Sequence, residues 1–96
     1  MTYADELDEN FARLIVHLGQ MTAICFGDLV DPSTNEQPEP DLAAAGQMIE
    51  ILGMLQEKTR GNLSAAEAKV LEDLLYELRL RYVEAQKQGG KRIIEP

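Results

Sequence analysis

The stretch Met54–Ala85, MLQEKTRGNLSAAEAKVLEDLLYELRLRYVEA, decides how this chain folds. Its middle, EKTRGNLSAAE (Glu57–Glu67), closes one helix and opens another. Gly61 has no side chain to oppose the left-handed conformation that stops a helix. Lys58 and Arg60 fall in the last turn before it, where cations oppose the negative end of the helix dipole. Ser64 is placed as an N-cap, and Glu67 completes a capping box three residues later. The spacing predicts a tight helix–turn–helix joint. It does not predict DNA binding, because a recognition helix offers side chains that read base edges and Ala65, Ala66, Glu67 and Ala68 do not.

Beyond the joint, helical periodicity runs from Ala65 to about Lys87 and carries two apolar stripes. Ala68, Leu71, Leu74, Leu75, Leu78 and Tyr82 form the main one. Tyr76, Leu80 and Val83 form a second on nearly the opposite side. Arg81 has Glu77 and Glu84 at pairing distance along the helix, while Arg79 has only the distant Glu72 and is the freer cation. The end, KQGGKRIIEP (Lys87–Pro96), reads as a short docking arm or a disordered end, with Gly89-Gly90 as the break. The expected organisation is a single α-helical domain over 1–88 and a flexible tail over 89–96.

Before the joint, Asp41 is a good N-cap for a second helix ending near Arg60. Leu42, Ala45, Met48, Ile49, Leu52 and Leu55 form its core face, broadened by Ile51 and Met54. Gly46 and Gly53 superimpose along its axis, and each costs about 1 kcal/mol relative to alanine. A close crossing by another helix would account for both. The preceding linker DPSTNEQPEP (Asp31–Pro40) holds three prolines and turn-forming residues, so it is expected to be a long, mobile connection.

The first helix is expected from Asp5 to Asp28. Phe11, Leu14, Ile15, Leu18, Met21, Thr22, Cys25, Phe26 and Leu29 share one side, and Ala12, Val16 and Ala23 extend it. About two-thirds of its circumference is apolar, whereas a surface helix buries a stripe of roughly 100° or somewhat more. One neighbouring helix cannot cover it. The fold class that follows is all-α: a helix, a long proline-containing loop and a helical hairpin, assembling as a helical-bundle homo-oligomer. Phe11, Leu14, Ile15, Leu18, Leu80 and Val83 are the candidate oligomer interface. A second copy is the simplest partner for such excess apolar surface.

Composition bounds the chemistry. The 96 residues make one domain with a net charge of −8 and 45% apolar residues. Residues 1–50 carry ten acids and one base, a net of −9, and residues 51–96 carry seven acids and eight bases, a net of +1. General nucleic-acid binding needs a cationic footprint that the chain lacks as a whole. Cys25 is the lone cysteine, so no internal disulfide forms, and its apolar surroundings suit a small buried hydrophobe. One histidine and one cysteine do not make a metal site, a catalytic triad or a cysteine–histidine pair, and there is no glycine-rich phosphate loop. No catalytic, metal or cofactor residue is therefore proposed, and the chain is not expected to be an enzyme. Acids near the start replace the cations of an export signal. Leu14–Gly27 is too short to cross a membrane. A cytoplasmic location without membrane contact is expected.

The segments MIEILGMLQEKTRGNLSAAEAKVLEDLLYELRLRYVEA and CFGDLVDPSTNE resemble DUF1844, a family of small bacterial proteins that share a domain of unknown function. The resemblance covers roughly Phe11–Ala85. QPEPDLAAAG (Gln37–Gly46) is richer in proline and alanine than the family pattern. The resemblance implies a compact helical protein without an established activity, with relatives encoded near translation genes. It also groups Lys58, Arg60, Asn62, Tyr76, Arg79 and Arg81 as candidate partner-binding residues. Two main functional readings follow: a homo-oligomeric interaction or adaptor module, and a ribosome- or RNA-associated factor using the small basic surface. A binder of a small apolar ligand is a third.

Overall fold

A computed structural model describes residues 6–94, with side chains described through Gln88. Three helices account for the architecture: α1 (Glu9–Cys25), α2 (Leu42–Lys58) and α3 (Ala65–Ile94). No strand is present among the described residues; one isolated bridge joins Asp31 and Glu36. The all-α class and the helix–loop–hairpin order follow the sequence reading. α3 continues to Ile94 through the Gly89-Gly90 pair, past the expected end near Lys87. The docking-arm or disordered-end reading of the tail falls on side chains 89–94 and residues 95–96, outside the described set.

The joint forms as its residues dictate. α2 ends at Lys58, Gly61 adopts φ +87°, and Ser64 and Glu67 close the capping box. The Ser64 hydroxyl accepts from the Glu67 N–H at 3.1 Å, and the Glu67 carboxylate accepts from the Ser64 N–H at 2.8 Å. The same carboxylate accepts from the Asp8 N–H at 2.8 Å, while the Ser64 hydroxyl donates to the Glu6 carbonyl. One capping box thus also fastens the segment leading into α1. Asp5, the expected start of that helix, lies outside the described residues, and 6–8 are not helical. Asp8 caps α1 instead, its carboxylate accepting from Asn10 and Phe11 N–H.

α1 also stops three residues earlier than expected. Gly27 sits at φ +80°, its N–H bonds back to the Ile24 carbonyl, and the Asp28 N–H bonds to that of Ala23, both at 2.9 Å. This is a Schellman motif, and it satisfies carbonyls that a helix end would otherwise leave bare. The linker that follows is folded on itself. Asp31 donates its N–H to the Glu36 carbonyl, and its own carbonyl accepts from the Asn35 N–H at 2.7 Å. Its carboxylate accepts from both the N–H and the hydroxyl of Ser33. The Gln37 amide then reaches the Gly27 carbonyl, and the Asp41 N–H reaches that of Cys25. Three prolines exclude a helix, but turn chemistry at Asp31 still defines a shape.

The core lies where the helices converge: Ile15 and Phe26 from the first helical segment, Ala45 and Leu52 from α2, and Leu71, Leu75, Leu78 and Ala85 from α3. Thr22 is buried with its hydroxyl donating to the Leu18 carbonyl, so it adds no unsatisfied group. Of the α2 glycines, Gly46 marks a close approach, while the nearest neighbour of Gly53 lies at ordinary contact distance. A β-carbon on Gly46 would come within 3.3 Å of the Tyr82 ring, and one on Gly53 within 3.5 Å of the Arg79 guanidinium. Gly19 plays the same part between α1 and α3, where a β-carbon would meet Leu74 at 3.3 Å.

The two left-handed glycines differ in their surroundings. A β-carbon on Gly27 would lie 3.1 Å from the Pro38 carbonyl oxygen, whereas one on Gly61 would meet nothing within 4 Å. Gly61→Ala is expected to cost about 1–2 kcal/mol of backbone strain alone. Gly27→Ala should cost measurably more, as read from urea unfolding of both variants; equal losses would show that the Pro38 contact carries no weight.

Candidate interaction surface

Arg81 is the most engaged polar side chain of the molecule's centre. Its Nε donates to Asp28 Oδ2 at 2.8 Å and one terminal nitrogen donates to Asp28 Oδ1 at 2.7 Å, a two-pronged pair between α3 and the end of α1. The guanidinium lies 5.2 Å from the centre of the Phe26 ring. Phe26 is fully buried and meets Tyr82 edge-on, with ring centres 6.4 Å apart. The remaining nitrogen, Nη1, is buried without a hydrogen bond and sits 3.8 Å from Glu84. Of the two partners expected along the helix, Glu84 is therefore one, and Glu77 makes no pair with Arg81 among the described residues. The guanidinium turns away from Glu77 toward Phe26 and Asp28, where burial against a ring and a two-pronged carboxylate outweigh a solvent-exposed pair along one helix.

The other cations divide. Arg60 pairs with Glu57 and Lys69 with Asp73 at 3.3 Å, both exposed pairs within one helix or its last turn. Arg79 has no acidic partner among the described residues and lies across Gly53. Lys58 is exposed in the last turn of α2, and the exposed Asn62 donates its N–H to the Thr59 carbonyl. The six candidate partner-binding residues therefore do not make one patch. Lys58, Arg60 and Asn62 sit at the joint, Arg79 faces α2, Arg81 faces α1, and Tyr76 points outward, 63% exposed.

The apolar candidates divide as well. Ile15 is only 4% exposed; it belongs to the chain's own core and drops out of the candidate oligomer interface. Its spacing could not separate it from its neighbours, because the whole apolar side of α1 is wider than the core. Phe11 and Leu18 are half-buried against that core. Leu14 remains 43% exposed, and Leu80 and Val83 remain 52% and 48% exposed. Val16 and Met21 on α1 and Met54 on α2 are similarly open. A groove of about 540 Å³ runs between α2 and α3 beside this surface, lined in part by Gly46, Glu50, Arg79, Tyr82 and Val83.

Chemistry-bearing groups are sparse among the described residues. No three His, Cys, Asp or Glu side chains gather closely enough to hold a metal ion. Burial, and then the charge of Asp41, push the half-buried Cys25 thiol above its ordinary pKa. No described helix is long and apolar enough to cross a membrane.

These features define an all-α protein built on a helical hairpin, with a first helix clipped to it at both ends. The chain belongs to DUF1844, a domain of unknown function, whose match spans residues 8–84, from the cap of α1 to the far part of α3. No curated protein and no solved structure matches it.

Hydrogen bonds from Arg81 hold the Asp28 carboxyl below its ordinary pKa, against the opposing effect of burial. A carboxyl depressed by folding adds stability above its unfolded pKa and loses it as pH falls through the folded value. Asp28→Asn should therefore destabilise the chain near neutrality, by on the order of 1 kcal/mol for a partly exposed pair. The gap from the parent should close as pH drops below the ordinary carboxylate range. Comparing the two chains, rather than following one, removes the general effect of titrating the other acids. A pH-independent gap in denaturant midpoints would mean that the charge of Asp28 is not what stabilises.

Proposed function

We propose that this protein is a self-associating helical interaction or adaptor module without catalytic chemistry of its own. One observation carries the reading: Leu14 on α1 and Tyr76, Leu80 and Val83 on α3 stay open to water after all three helices have packed. Scattered exposed apolar residues are ordinary, but a side chain repeated at helical spacing along one face marks a contact surface. The Cys25 thiol, held protonated by burial, and the exposed His17 support the non-catalytic part of the reading. The ribosome or RNA alternative draws on Lys58, Arg60, Arg79 and Arg81. Arg60 and Arg81 are already engaged with acids of this chain, and binding to a polyanion weakens with every cation so occupied.

Sedimentation velocity at micromolar concentration should give a dimer or larger species. Leu80→Glu should shift it toward the monomer with helicity unchanged by circular dichroism, because the position is exposed within one chain. A parent chain that sediments as a monomer throughout that range would remove the reading.

A further inference from the structure

The groove between α2 and α3 holds an acid and a base that do not meet. Glu50 lines it from α2 and Arg79 from α3. Neither pairs with the other, nor with any other charged group among the described residues. Elsewhere the fold brings opposite charges together, Arg60 on Glu57, Lys69 on Asp73 and Arg81 on Asp28. Here it holds them apart. The Arg79 guanidinium lies beside Gly53, 3.5 Å from where a β-carbon would stand. Glu50 precedes Gly53 by three residues, roughly 4.5 Å back along the axis of α2.

Past the charges, Ile49, Tyr82 and Val83 add an apolar stretch. It extends toward Gly46, which precedes Gly53 by seven residues, roughly 10 Å along α2. Gly46 leaves room for the Tyr82 ring, since a β-carbon there would come within 3.3 Å of it. The fully buried Phe26 meets the same ring edge-on, so this wall is anchored before any ligand arrives. At about 540 Å³ the groove falls within the range of small-ligand sites, which combine apolar contact with a few placed polar groups.

We propose that this groove binds a free α-amino acid with a large apolar or aromatic side chain. The ligand carboxylate accepts from the Arg79 guanidinium, its ammonium donates to Glu50, and its side chain lies along Ile49, Tyr82 and Val83. An α-amino acid carries both charges on one carbon, which suits an acid and a base on facing walls that are too far apart to pair. A polyanion meets repulsion from Glu50, and a simple carboxylic acid leaves Glu50 unused. A peptide carries its terminal ammonium and carboxylate on different residues. Glu50 and Arg79 are both exposed, so each contact is screened and selectivity comes from having the two together. This inference does not rest on self-association.

An amide-resolved NMR titration of the nitrogen-labelled full chain tests it, with L-phenylalanine as the probe. Phenylalanine should bind saturably, with shifts centred on Gly46 and Gly53. Phenylalanine amide lacks the carboxylate and N-acetylphenylalanine lacks the ammonium. Each should bind about fivefold more weakly, the effect of one exposed charge pair. Glycine, with the same head group and no side chain, should bind about tenfold more weakly or worse. Arg79→Gln should erase the preference over the amide, and Glu50→Gln the preference over the N-acetyl compound. Both positions are exposed, so helicity by circular dichroism should not change. If a variant does lose helicity, the ligand series on the parent chain still decides. No saturable binding of phenylalanine up to about 10 mM overturns the proposal. So does binding that ignores either head-group change or the loss of the side chain, and so do preferences that survive substitution in a folded variant. Sedimentation is read separately: a monomer that selects phenylalanine keeps this inference and removes self-association.

Discussion

The fold depends on how the end of α1 is held. Phe26 is the largest fully buried side chain among the described residues, and it comes after the last helical residue of α1. It can occupy the core only because the Schellman turn at Gly27 redirects the chain there. Burying such a ring contributes about 1.5–3 kcal/mol. Arg81 then covers it, adding a cation–π contact of about 0.5–1 kcal/mol at a partly exposed site. The same guanidinium fixes Asp28, the residue that completes the turn. Ring, turn and ion pair are thus one device. Its one defect is the buried Arg81 Nη1, which has no hydrogen bond and only Glu84, at 3.8 Å, to offset its desolvation.

A second clip holds the other end of the helix. Glu67 belongs to the cap of α3, yet it also binds the N–H of Asp8, the cap of α1. Backbone N–H groups of Ser64 and Asp8 hold its carboxyl below the ordinary value, so it stays charged where the cap requires it. α1 is therefore fixed at both ends by polar contacts to α3, while Ile15 and Thr22 reach the core from its middle. This explains how a helix with so broad an apolar side can belong to a three-helix fold. The clips set its direction, the core takes a narrow inward strip, and the rest of the apolar side remains at the surface.

What is legible in the sequence, and what is not, follows from the range of the interactions. The joint at Gly61, the Asp41 cap and the Ser64–Glu67 box are local, and each is readable from spacing alone. The close crossing at Gly46 is readable because a helical glycine has a cost that some contact must offset. The Asp28–Arg81 pair joins residues 53 positions apart. Reasoning from neighbours on one helix assigns Arg81 to Glu77 and Glu84, and only the packing shows that α1 ends within reach. The early stop of α1 does have a local signal in Gly27, masked by the apolar residues Leu29 and Val30 that prolong the periodicity. The shape of the linker is hidden for a different reason. Counting prolines tells what a segment cannot be, and says nothing of the hydrogen bonds that Asp31 gathers.

The cations of Met54–Ala85 can now be assigned one by one. Lys58 and Arg60 finish α2, Lys69 pairs within α3, and Arg81 holds α1. In these roles Arg60, Lys69 and Arg81 each spend their charge on an acid of the same chain. Arg79 is different: it lies on the groove beside Gly53 and meets no acid among the described residues. A single cation beside an apolar stripe is a poor match for a polyanion, which needs several phosphates neutralised together. It is a good match for one carboxylate at the edge of an apolar contact, where it specifies orientation more than strength. Under the proposed self-association, the charge pattern and the exposed side chains suit the same kind of partner, one that brings its own apolar face and a few acids.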